Sequence, residues 1–325
     1  MIIGDRARYE QYMPDTTFAR GAEKVYVDRG AGPEEILAAG RDAECIMADA
    51  MSRVPRAVIE GMPRLRLIHS EGVGYNGIDI EAARERGIPV CNNKGCNDAA
   101  VAEQAVLLML GILRTVVTGD AAVRAGEQIV MKERRMVEGI TELGECRVGL
   151  IGFGDIGRAT AHLLHAFGCE VVYNTRHRAD PEVEDTYHAR WVPREELLST
   201  CDIVSLHAPV TAETTGMMGD EAFALMKPDA ILINTARGEL VDNGALVRAL
   251  ETGRIAAAGL DTVAPEPVTA ENPLLTAPEA VKAKILFSPH LGGITTATFY
   301  RCHGAMWRAA EVLEGGGEPA NIVNR

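Results

Sequence analysis

The sequence predicts an α/β protein of two domains, each with a parallel β-sheet covered by helices. The chain has 325 residues, which is enough for two domains and a large buried core. Hydrophobic residues make up 47% of it and charged residues 24%, as is typical of globular proteins. Short apolar runs alternate with helical patterns along most of the chain, and strands separated by helices form parallel sheets.

The first domain is predicted over residues 1–97 together with residues 296–325. Its helices are expected over residues 33–39, where a proline occupies a favoured first-turn position, and over residues 79–86. A helix over residues 295–314 is expected to cross back and pack on this domain. Its strands are predicted from four short apolar runs at residues 24–28, 44–48, 65–69 and 89–91.

The second domain is predicted over residues 98–295. It opens with a helix that begins near Asp98, a suitable N-cap, and is apolar on most sides, so we expect it to be buried. Residues 119–142 are more charged and contain no clear strand, which makes them a candidate contact with another subunit. Six strands, the number in a complete dinucleotide-binding sheet, are predicted at residues 147–151, 170–173, 202–206, 230–234, 256–260 and 284–288.

The composition argues against several classes of partner. A net charge of −13 disfavours a nucleic-acid or anionic-membrane surface. No apolar run is long enough to span a bilayer, and the N-terminal stretch MIIGDRARYEQ becomes polar too early for a signal peptide. Seven scattered cysteines without a Cys-x-x-Cys pair indicate reduced thiols in the cytoplasm. His162 and His165 have no further ligand candidates nearby, so no metal site is predicted.

A glycine-rich loop joins a predicted strand to a predicted helix in the stretch VGLIGFGDIG, residues 148–157. Its glycines permit a tight turn, a close approach of the backbone to a pyrophosphate, and tight helix–strand packing. The helix N-terminus supplies free N–H groups and the positive end of the helix dipole. A dinucleotide site is therefore predicted at Gly152, Phe153, Gly154, Asp155, Ile156 and Gly157.

The turn after the next strand carries positive charge where many dinucleotide-binding proteins carry an acid. An acid there binds the ribose 2′-hydroxyl of NAD and repels a 2′-phosphate. This chain has Asn174 at that point, followed by Thr175, Arg176 and Arg178. A hydroxyl donor and two guanidinium groups would attract a phosphate, so NADP(H) is predicted as the cofactor. The alternative is a solvated basic turn on a protein that uses NAD(H).

Three polar residues follow strands of the second domain and are candidates for the chemistry. Arg237 follows AILINTA, Glu266 lies in LDTVAPEP, and His290 lies in LFSPHLGG. In an open α/β sheet, the loops beyond the carboxyl ends of the strands face the ligand crevice. We therefore expect the guanidinium, the carboxylate and the imidazole to converge near a nicotinamide ring.

Several motifs together resemble the D-isomer-specific 2-hydroxyacid dehydrogenase family. They occur in the family order and cover roughly residues 65 to 295. They are SEGVGYNGID at residues 70–79, Asn92 through residues 101–103, the GFGDIG loop, residues 207–209 with Thr211 and Thr214, NTARG at 234–238, GLDTVAPEP at 259–267 and SPHLGG at 288–293. The resemblance implies two Rossmann-like domains: a parallel-sheet dinucleotide-binding domain and a smaller flavodoxin-like substrate domain.

The resemblance also implies roles for these residues. His290 would be the general acid that protonates the carbonyl oxygen, with Glu266 holding its imidazole and favouring the protonated form. Arg237 would bind the substrate carboxylate, as would the backbone N–H groups of Gly72, Val73 and Gly74, with Asn97 nearby. Asp261 would orient the nicotinamide. Further cofactor contacts are expected from His207, Ala208, Pro209, Thr214, Thr235, Ala236, Arg237, His290 and Gly292.

These expectations combine into a functional hypothesis. The chain is predicted to be a homodimeric cytoplasmic oxidoreductase that moves hydride between NADP(H) and a small 2-oxo acid such as glyoxylate or hydroxypyruvate. The cofactor turn resembles that of the NADPH-linked reductase branch of the family. One alternative is an NAD-linked dehydrogenase of 3-phosphoglycerate or another D-2-hydroxy acid. Another is a non-catalytic sensor of NAD(P), which would be expected to have lost part of the catalytic set. Glu71, just before Gly72, Val73 and Gly74, would disfavour a second anionic group on the substrate unless its side chain points away from the loop.

Overall fold

A computed structural model describes residues 1–325 and contains twelve β-strands and sixteen α-helices, numbered along the chain. The chain forms two compact units. The first comprises Met1–Asn97 and Ile294–Arg325, and the second comprises Asp98–Gly293. Both units are built on parallel sheets, which confirms the predicted α/β class.

The sheet of the first unit has five parallel strands in the order β2-β1-β3-β4-β5, which is the flavodoxin-like order. Its strands are β1 Ile2–Ile3, β2 Tyr26–Val27, β3 Cys45–Ala48, β4 Leu67–Ser70 and β5 Val90–Cys91. The sequence did not predict β1. It is two residues long and lies inside the sheet, where it pairs with both β2 and β3. Two residues show no alternating apolar pattern, so this strand depends on its tertiary pairing.

Helices cover both faces of this first sheet. They are α1 Arg6–Gln11, α2 Thr17–Gly21, α3 Pro33–Gly40, α4 Arg56–Gly61, α5 Ile80–Glu85 and α16 Thr296–Glu314. Helix α16 begins after Thr295, whose side chain accepts a hydrogen bond from the Thr298 N–H. Its buried Met306 and Trp307 join a core cluster that also contains Tyr9 and Leu67. The end of the sequence thereby completes a core that its first residues begin.

The sheet of the second unit has seven parallel strands in the order β12-β11-β10-β9-β6-β7-β8. They are β6 Arg147–Ile151, β7 Glu170–Asn174, β8 Ala189–Trp191, β9 Ile203–Leu206, β10 Ile231–Asn234, β11 Ala257–Leu260 and β12 Ile285–Phe287. Strand β8 was not predicted from the sequence. It has three residues and lies at the edge of the sheet, where it pairs only with β7.

The second unit contains ten helices. They are α6 Asp98–Leu113, α7 Val116–Arg124, α8 Gln128–Glu138, α9 Asp155–Phe167, α10 Pro181–Tyr187, α11 Arg194–Thr200, α12 Asp220–Leu225, α13 Asn243–Glu251, α14 Pro273–Thr276 and α15 Glu279–Lys282. Short 3₁₀ turns occupy Leu143–Glu145 and Gly238–Leu240. Helix α6 approaches the sheet closely at Gly259, which has no side chain: a Cβ there would lie 3.0 Å from the Leu108 Cβ.

Helices α7 and α8 have no buried residues. They expose an unusual number of apolar side chains, namely Val116, Val117, Val123, Ile129, Val130, Met136 and Val137. No single helix has the length and apolar composition to cross a bilayer. Helices α6 and α7 taken as a pair would satisfy the criteria of length and apolar composition, and only these, with a bend of 54° between them.

Candidate active site

The glycine-rich loop lies between β6 and α9, as the sequence predicts. Gly152 has φ +104°, and a Cβ there would overlap the carbonyl oxygen of His207. A Cβ on Gly157 would lie 2.6 Å from the Gly152 oxygen. Gly154 caps α9 without a side-chain hydrogen bond, so the first N–H groups of the helix point to an uncovered end. This cradle of bare backbone fits a pyrophosphate, and side chains at these glycines would fill it.

The loop after β9 packs against this cradle. His207 contributes its backbone to the wall beside Gly152, and its Nε2 lies 3.0 Å from the Ser205 hydroxyl. Burial lowers the pKa of His207 to about 4, so the ring is neutral at pH 7. The Thr214 hydroxyl donates to the Pro209 carbonyl at 2.7 Å and accepts from the N–H of Thr211 at 2.7 Å. These bonds tie the loop into one turn beside the glycines.

The basic turn after β7 is more heavily paired than the sequence suggests. Arg178 makes a two-point contact with Glu184, at 2.9 and 2.6 Å, and Tyr173 donates to the same carboxylate at 2.7 Å. These bonds, that to Arg178 above all, lower the pKa of Glu184 to about 2. Asn174 donates to the Val192 carbonyl at 2.8 Å. Arg178 and Asn174 therefore hold the end of β7 in place.

Arg176 is the most accessible cation of this turn. It pairs with Glu213, and both side chains are 71% exposed. An ion pair this exposed contributes little and exchanges readily for another anion. Thr175, the residue before it, is half-buried and donates to the His177 carbonyl at 2.6 Å. Of the predicted phosphate contacts, Arg176 is thus the one that solvent reaches most easily, because Arg178 is less exposed and is bound to Glu184. The contact of Arg176 with Glu213 was not predicted from the sequence.

His290 and Glu266 form a direct pair. His290 Nδ1 donates to the Glu266 carboxylate, at 2.7 Å from Oε1 and 2.9 Å from Oε2. The histidine is 37% exposed, and its Nε2 has no protein partner. Its φ of +57° is unusual for a residue with a side chain and turns the ring toward the acid. The contact fixes the tautomer with a proton on Nδ1 and leaves Nε2 open to a ligand.

A buried carboxylate holds the His290 loop, residues 288–292, in this conformation. Asp261, only 3% exposed, accepts from the N–H groups of Leu291 and Gly292 at 2.9 Å each. It also accepts from the Ser288 hydroxyl at 2.5 Å, which in turn accepts from Gln104 at 2.8 Å. Both oxygens of Asp261 are thus used within the protein, whereas the resemblance implies a nicotinamide contact. Gln104, on α6, carried no sequence signal because it lies far away in the chain.

Arg237 follows β10, the strand beside β11, whose following loop carries Glu266. Buried Asn234 fixes the turn by accepting from the Ala236 N–H at 3.0 Å and donating to the Arg237 carbonyl at 2.8 Å. The guanidinium makes one local bond, to the Ala236 carbonyl at 2.7 Å. A Cβ on Gly238 would lie 2.9 Å from the Val263 Cα, so this turn packs directly against the loop of Glu266. Strands β10, β11 and β12 therefore bring the three predicted catalytic side chains to one edge of the sheet.

The predicted carboxylate-binding residues lie in the first unit, on the loop of residues 70–74 that follows β4. Gly72 is required because a Cβ there would lie 2.8 Å from the Ala50 Cβ. Asn92 donates to the Val73 carbonyl at 2.8 Å, and Asn93 donates to the Glu71 carbonyl at 2.8 Å. The N–H groups of Val73 and Gly74 donate to no protein acceptor. Asn97 has a buried side-chain oxygen without a hydrogen-bond partner.

A family model, individual relatives and solved structures all indicate the same protein family. Residues 106–292 match the family model for the NAD binding domain of D-isomer specific 2-hydroxyacid dehydrogenases. A glyoxylate reductase of Thermococcus litoralis is 37% identical over 93% of this chain and 90% of its own length. A D-lactate dehydrogenase of Lactobacillus jensenii, solved with NAD⁺, superposes with a TM-score of 0.83 and 28% identity, covering all of both chains. A glyoxylate reductase of Paecilomyes thermophila superposes with a TM-score of 0.81 and 29% identity, covering 99% and 97% of the two chains.

Proposed function

Because the chain belongs to the D-isomer-specific 2-hydroxyacid dehydrogenase family, and is an NAD(P)-dependent enzyme of a small 2-oxo or 2-hydroxy acid, we propose that it reduces glyoxylate or hydroxypyruvate with NADPH. The observation that carries the proposal is the hydrogen-bonded His290–Glu266 pair, on the loops after β12 and β11, of which β11 adjoins β10, the strand that Arg237 follows. The names of its 37%-identical relatives support glyoxylate as a substrate.

The bound nicotinamide cofactor supplies the hydride in the proposed reaction, and the protein supplies the proton. His290 donates that proton from Nε2 to the carbonyl oxygen of the substrate, and takes it back in the reverse direction. Glu266 binds Nδ1 and so holds the ring in the orientation and tautomer that direct Nε2 outward. Without Glu266 the imidazole would be free to rotate about its side-chain bonds, and Nε2 would no longer keep this direction.

Arg237 and the loop of residues 70–74 are proposed to bind the substrate carboxylate. A guanidinium presents two parallel N–H groups to a carboxylate, and Arg237 uses only one bond within the protein. The unpartnered N–H groups of Val73 and Gly74 are donors of the same kind. Gly152 to Gly157 would hold the pyrophosphate of the cofactor, and Arg176 with Thr175 would hold a 2′-phosphate.

The decisive test is steady-state kinetics with glyoxylate, hydroxypyruvate, pyruvate and phosphohydroxypyruvate, each with NADPH and NADH. We expect turnover of glyoxylate or hydroxypyruvate, and a loss of roughly 1,000-fold in kcat for His290→Ala, since a general acid contributes 10²–10⁴-fold. His162→Ala is a matched control, because His162 is exposed on α9 outside these loops. Full activity of His290→Ala would exclude the proposed acid. A preference for phosphohydroxypyruvate with NADH would instead support the 3-phosphoglycerate alternative.

The NADPH preference rests on Arg176 and has its own test. Arg176→Ala should raise the KM for NADPH about tenfold and leave the KM for NADH nearly unchanged, because only NADPH carries the 2′-phosphate. Arg190→Ala, which removes another exposed arginine of the second unit, should change neither constant. An equal rise for both cofactors in Arg176→Ala would contradict the phosphate assignment.

We also propose that the enzyme is a homodimer, with helices α7 and α8 at the contact. Their exposed apolar side chains include Val130 at 68% and Val137 at 90%, and large apolar patches of this kind are rare on monomers. Sedimentation of the wild type and of Val137→Asp would test this, with a monomeric variant as the expected result. The cytoplasmic location stays a prediction from the scattered cysteines.

A further inference from the structure

Glu71 is a buried acid at the base of the loop that is proposed to bind the substrate carboxylate. It directly precedes Gly72, and only 7% of it is exposed. Its N–H donates to the Ala48 carbonyl at 2.7 Å, and its carbonyl accepts from Asn93 at 2.8 Å. The carboxylate therefore points inward, away from the donors of the loop. A charge in such a place is costly unless other groups stabilise it.

Two elements distant in sequence provide that stabilisation. Arg8, on α1, donates from Nε to Oε1 of Glu71 at 3.1 Å and from Nη2 to Oε2 at 2.8 Å. His303, which is fully buried on α16, donates from Nε2 to Oε1 at 2.7 Å. Arg8 also pairs with Asp49, at the end of β3. We call Arg8, Asp49, Glu71 and His303 the Glu71 cluster.

The guanidinium of Arg8 is itself held in place from several sides. Its carbon lies 5.6 Å from the centre of the Tyr9 ring and 5.5 Å from that of Phe299, within cation–π range. Asp49 in turn accepts from the Met51 N–H at 2.8 Å, so the cluster is also tied to the loop after β3. Glu71 is thus connected to β3, α1 and α16 at once, and it cannot shift without moving these contacts.

Side chains fix most of the carbonyl groups of the carboxylate loop. Side-chain amides of Asn92 and Asn93 hold its carbonyl groups, and the Ser70 hydroxyl donates to the Gly74 carbonyl at 2.6 Å. The directions of the Val73 and Gly74 N–H groups then depend on where residue 71 is anchored. A small change in the direction of these N–H groups would weaken the binding of a carboxylate, because a hydrogen bond loses strength steeply as its angle departs from linear.

We propose that Glu71 is a positioning residue: Arg8 and His303 hold its side chain, and through it they aim the N–H groups of the loop at the substrate carboxylate. This inference rests on the proposed function. It also bears on the substrate class. The cluster contains two carboxylates, one guanidinium and one imidazole, so it offers no surplus positive charge for a second anionic group. The loop is therefore suited to a 2-oxo acid with a single carboxylate.

The experiment compares Glu71→Gln with the wild type, and electrostatics and positioning predict opposite results. If Glu71 acted only by its negative charge, removing it would lower the KM for an anionic substrate. If it positions the loop, the KM for glyoxylate should rise about tenfold, while kcat and the KM for NADPH change by less than about twofold. Arg8→Ala should have the same effect, and Arg8→Lys should recover part of it.

Arg86→Ala separates positioning from general stability. Arg86 is a partly buried arginine of the same unit that donates to the Met62 carbonyl at 3.0 Å, at the C-terminal ends of α4 and α5 and thus at the opposite edge of the sheet. It should lower the melting temperature without changing the KM for glyoxylate. An unchanged or lower KM in Glu71→Gln would overturn the inference, as would equal KM changes in Arg8→Ala and Arg86→Ala. A wild type without turnover of any 2-oxo acid would instead contradict the proposed function.

Discussion

The two units each fix one loop at the carboxyl edge of a parallel sheet, but they do so by different means. In the first unit, the loop after β4 is anchored by the Glu71 cluster, whose members come from four separate elements. In the second, the backbone of the loop after β12 is anchored mainly by one side chain, Asp261, whose carboxylate accepts three hydrogen bonds from it. Several side chains hold the first loop, whereas a single carboxylate makes most of the side-chain hydrogen bonds to the second.

The difference matches what each loop has to present. The first loop presents backbone N–H groups, and its glycines adopt their conformations at little cost. The second presents a histidine in the left-handed region, which costs of the order of 1–3 kcal/mol unless the surroundings enforce it. A buried carboxylate that accepts two backbone N–H groups is a strong and specific constraint. The side chain that we propose as the general acid thus has the stricter anchor, and the comparison predicts unequal consequences of mutation.

Among the residues that support the two loops, the largest effect is expected for Asp261→Asn. The amide would turn an NH₂ group toward one of the two loop N–H donors, so the His290 loop would lose its anchor. We expect kcat to fall roughly 100- to 1,000-fold, with a smaller change in the KM for the oxo acid. Asp220→Asn, which alters an exposed acid of the same unit, should leave kcat unchanged. A loss no greater than that of Glu71→Gln would remove the distinction between the two anchors.

A pH-dependent effect on stability is expected next, from His69 on β4. Burial lowers the pKa of His69 to about 4, from 6.5 in the unfolded chain. The unfolded state therefore binds more protons between these values, and the stabilisation present above pH 6.5 is lost as the pH falls toward 4. We expect the free energy of unfolding to drop by about 2 kcal/mol between pH 6.5 and 5.

Replacing His69 by asparagine should remove its share of that dependence in denaturant titrations at several pH values, and the share of His207, whose pKa burial also lowers to about 4, should remain. His188→Asn, at an exposed turn of the second unit, should keep the slope of the wild type. An identical slope in the wild type and in His69→Asn would show that other groups govern acid stability. The result also bears on the comparison, because His69 leads directly into the loop that Glu71 anchors.

The smallest effect is expected for Gln104→Ala. Gln104 supports the His290 loop only through Ser288, by one hydrogen bond of 2.8 Å. Such a bond contributes about 1 kcal/mol, so we expect a loss of two- to fivefold in kcat. Ser288→Ala should cost more, because it removes a direct bond to Asp261. If Gln104→Ala matched Asp261→Asn, the loop would depend on α6 more than on its buried carboxylate.

The sequence was informative wherever a function is written in contiguous residues. The glycine-rich loop, the six strands predicted for the second domain and the helix over residues 295–314 could be predicted from spacing and apolar pattern, because each depends on neighbours in the chain. Strands β1 and β8 could not, since two or three residues give no periodicity. The pairing of Arg178 with Glu184, and of Glu71 with Arg8 and His303, was also unreadable, because a charge is assigned a partner only by the fold.

The return of the chain to the first sheet has a consequence for how the protein is made. Asn324 accepts from the Val90 N–H at 2.8 Å and donates to the Ile88 carbonyl at 2.9 Å, and Ile322 bridges to Cys91. A ribosome releases residues 98–293 before these last contacts can form. The first unit therefore begins to be translated first but completes its fold last. Until residues 296–325 emerge, the apolar surface that α16 covers stays accessible to chaperones and proteases.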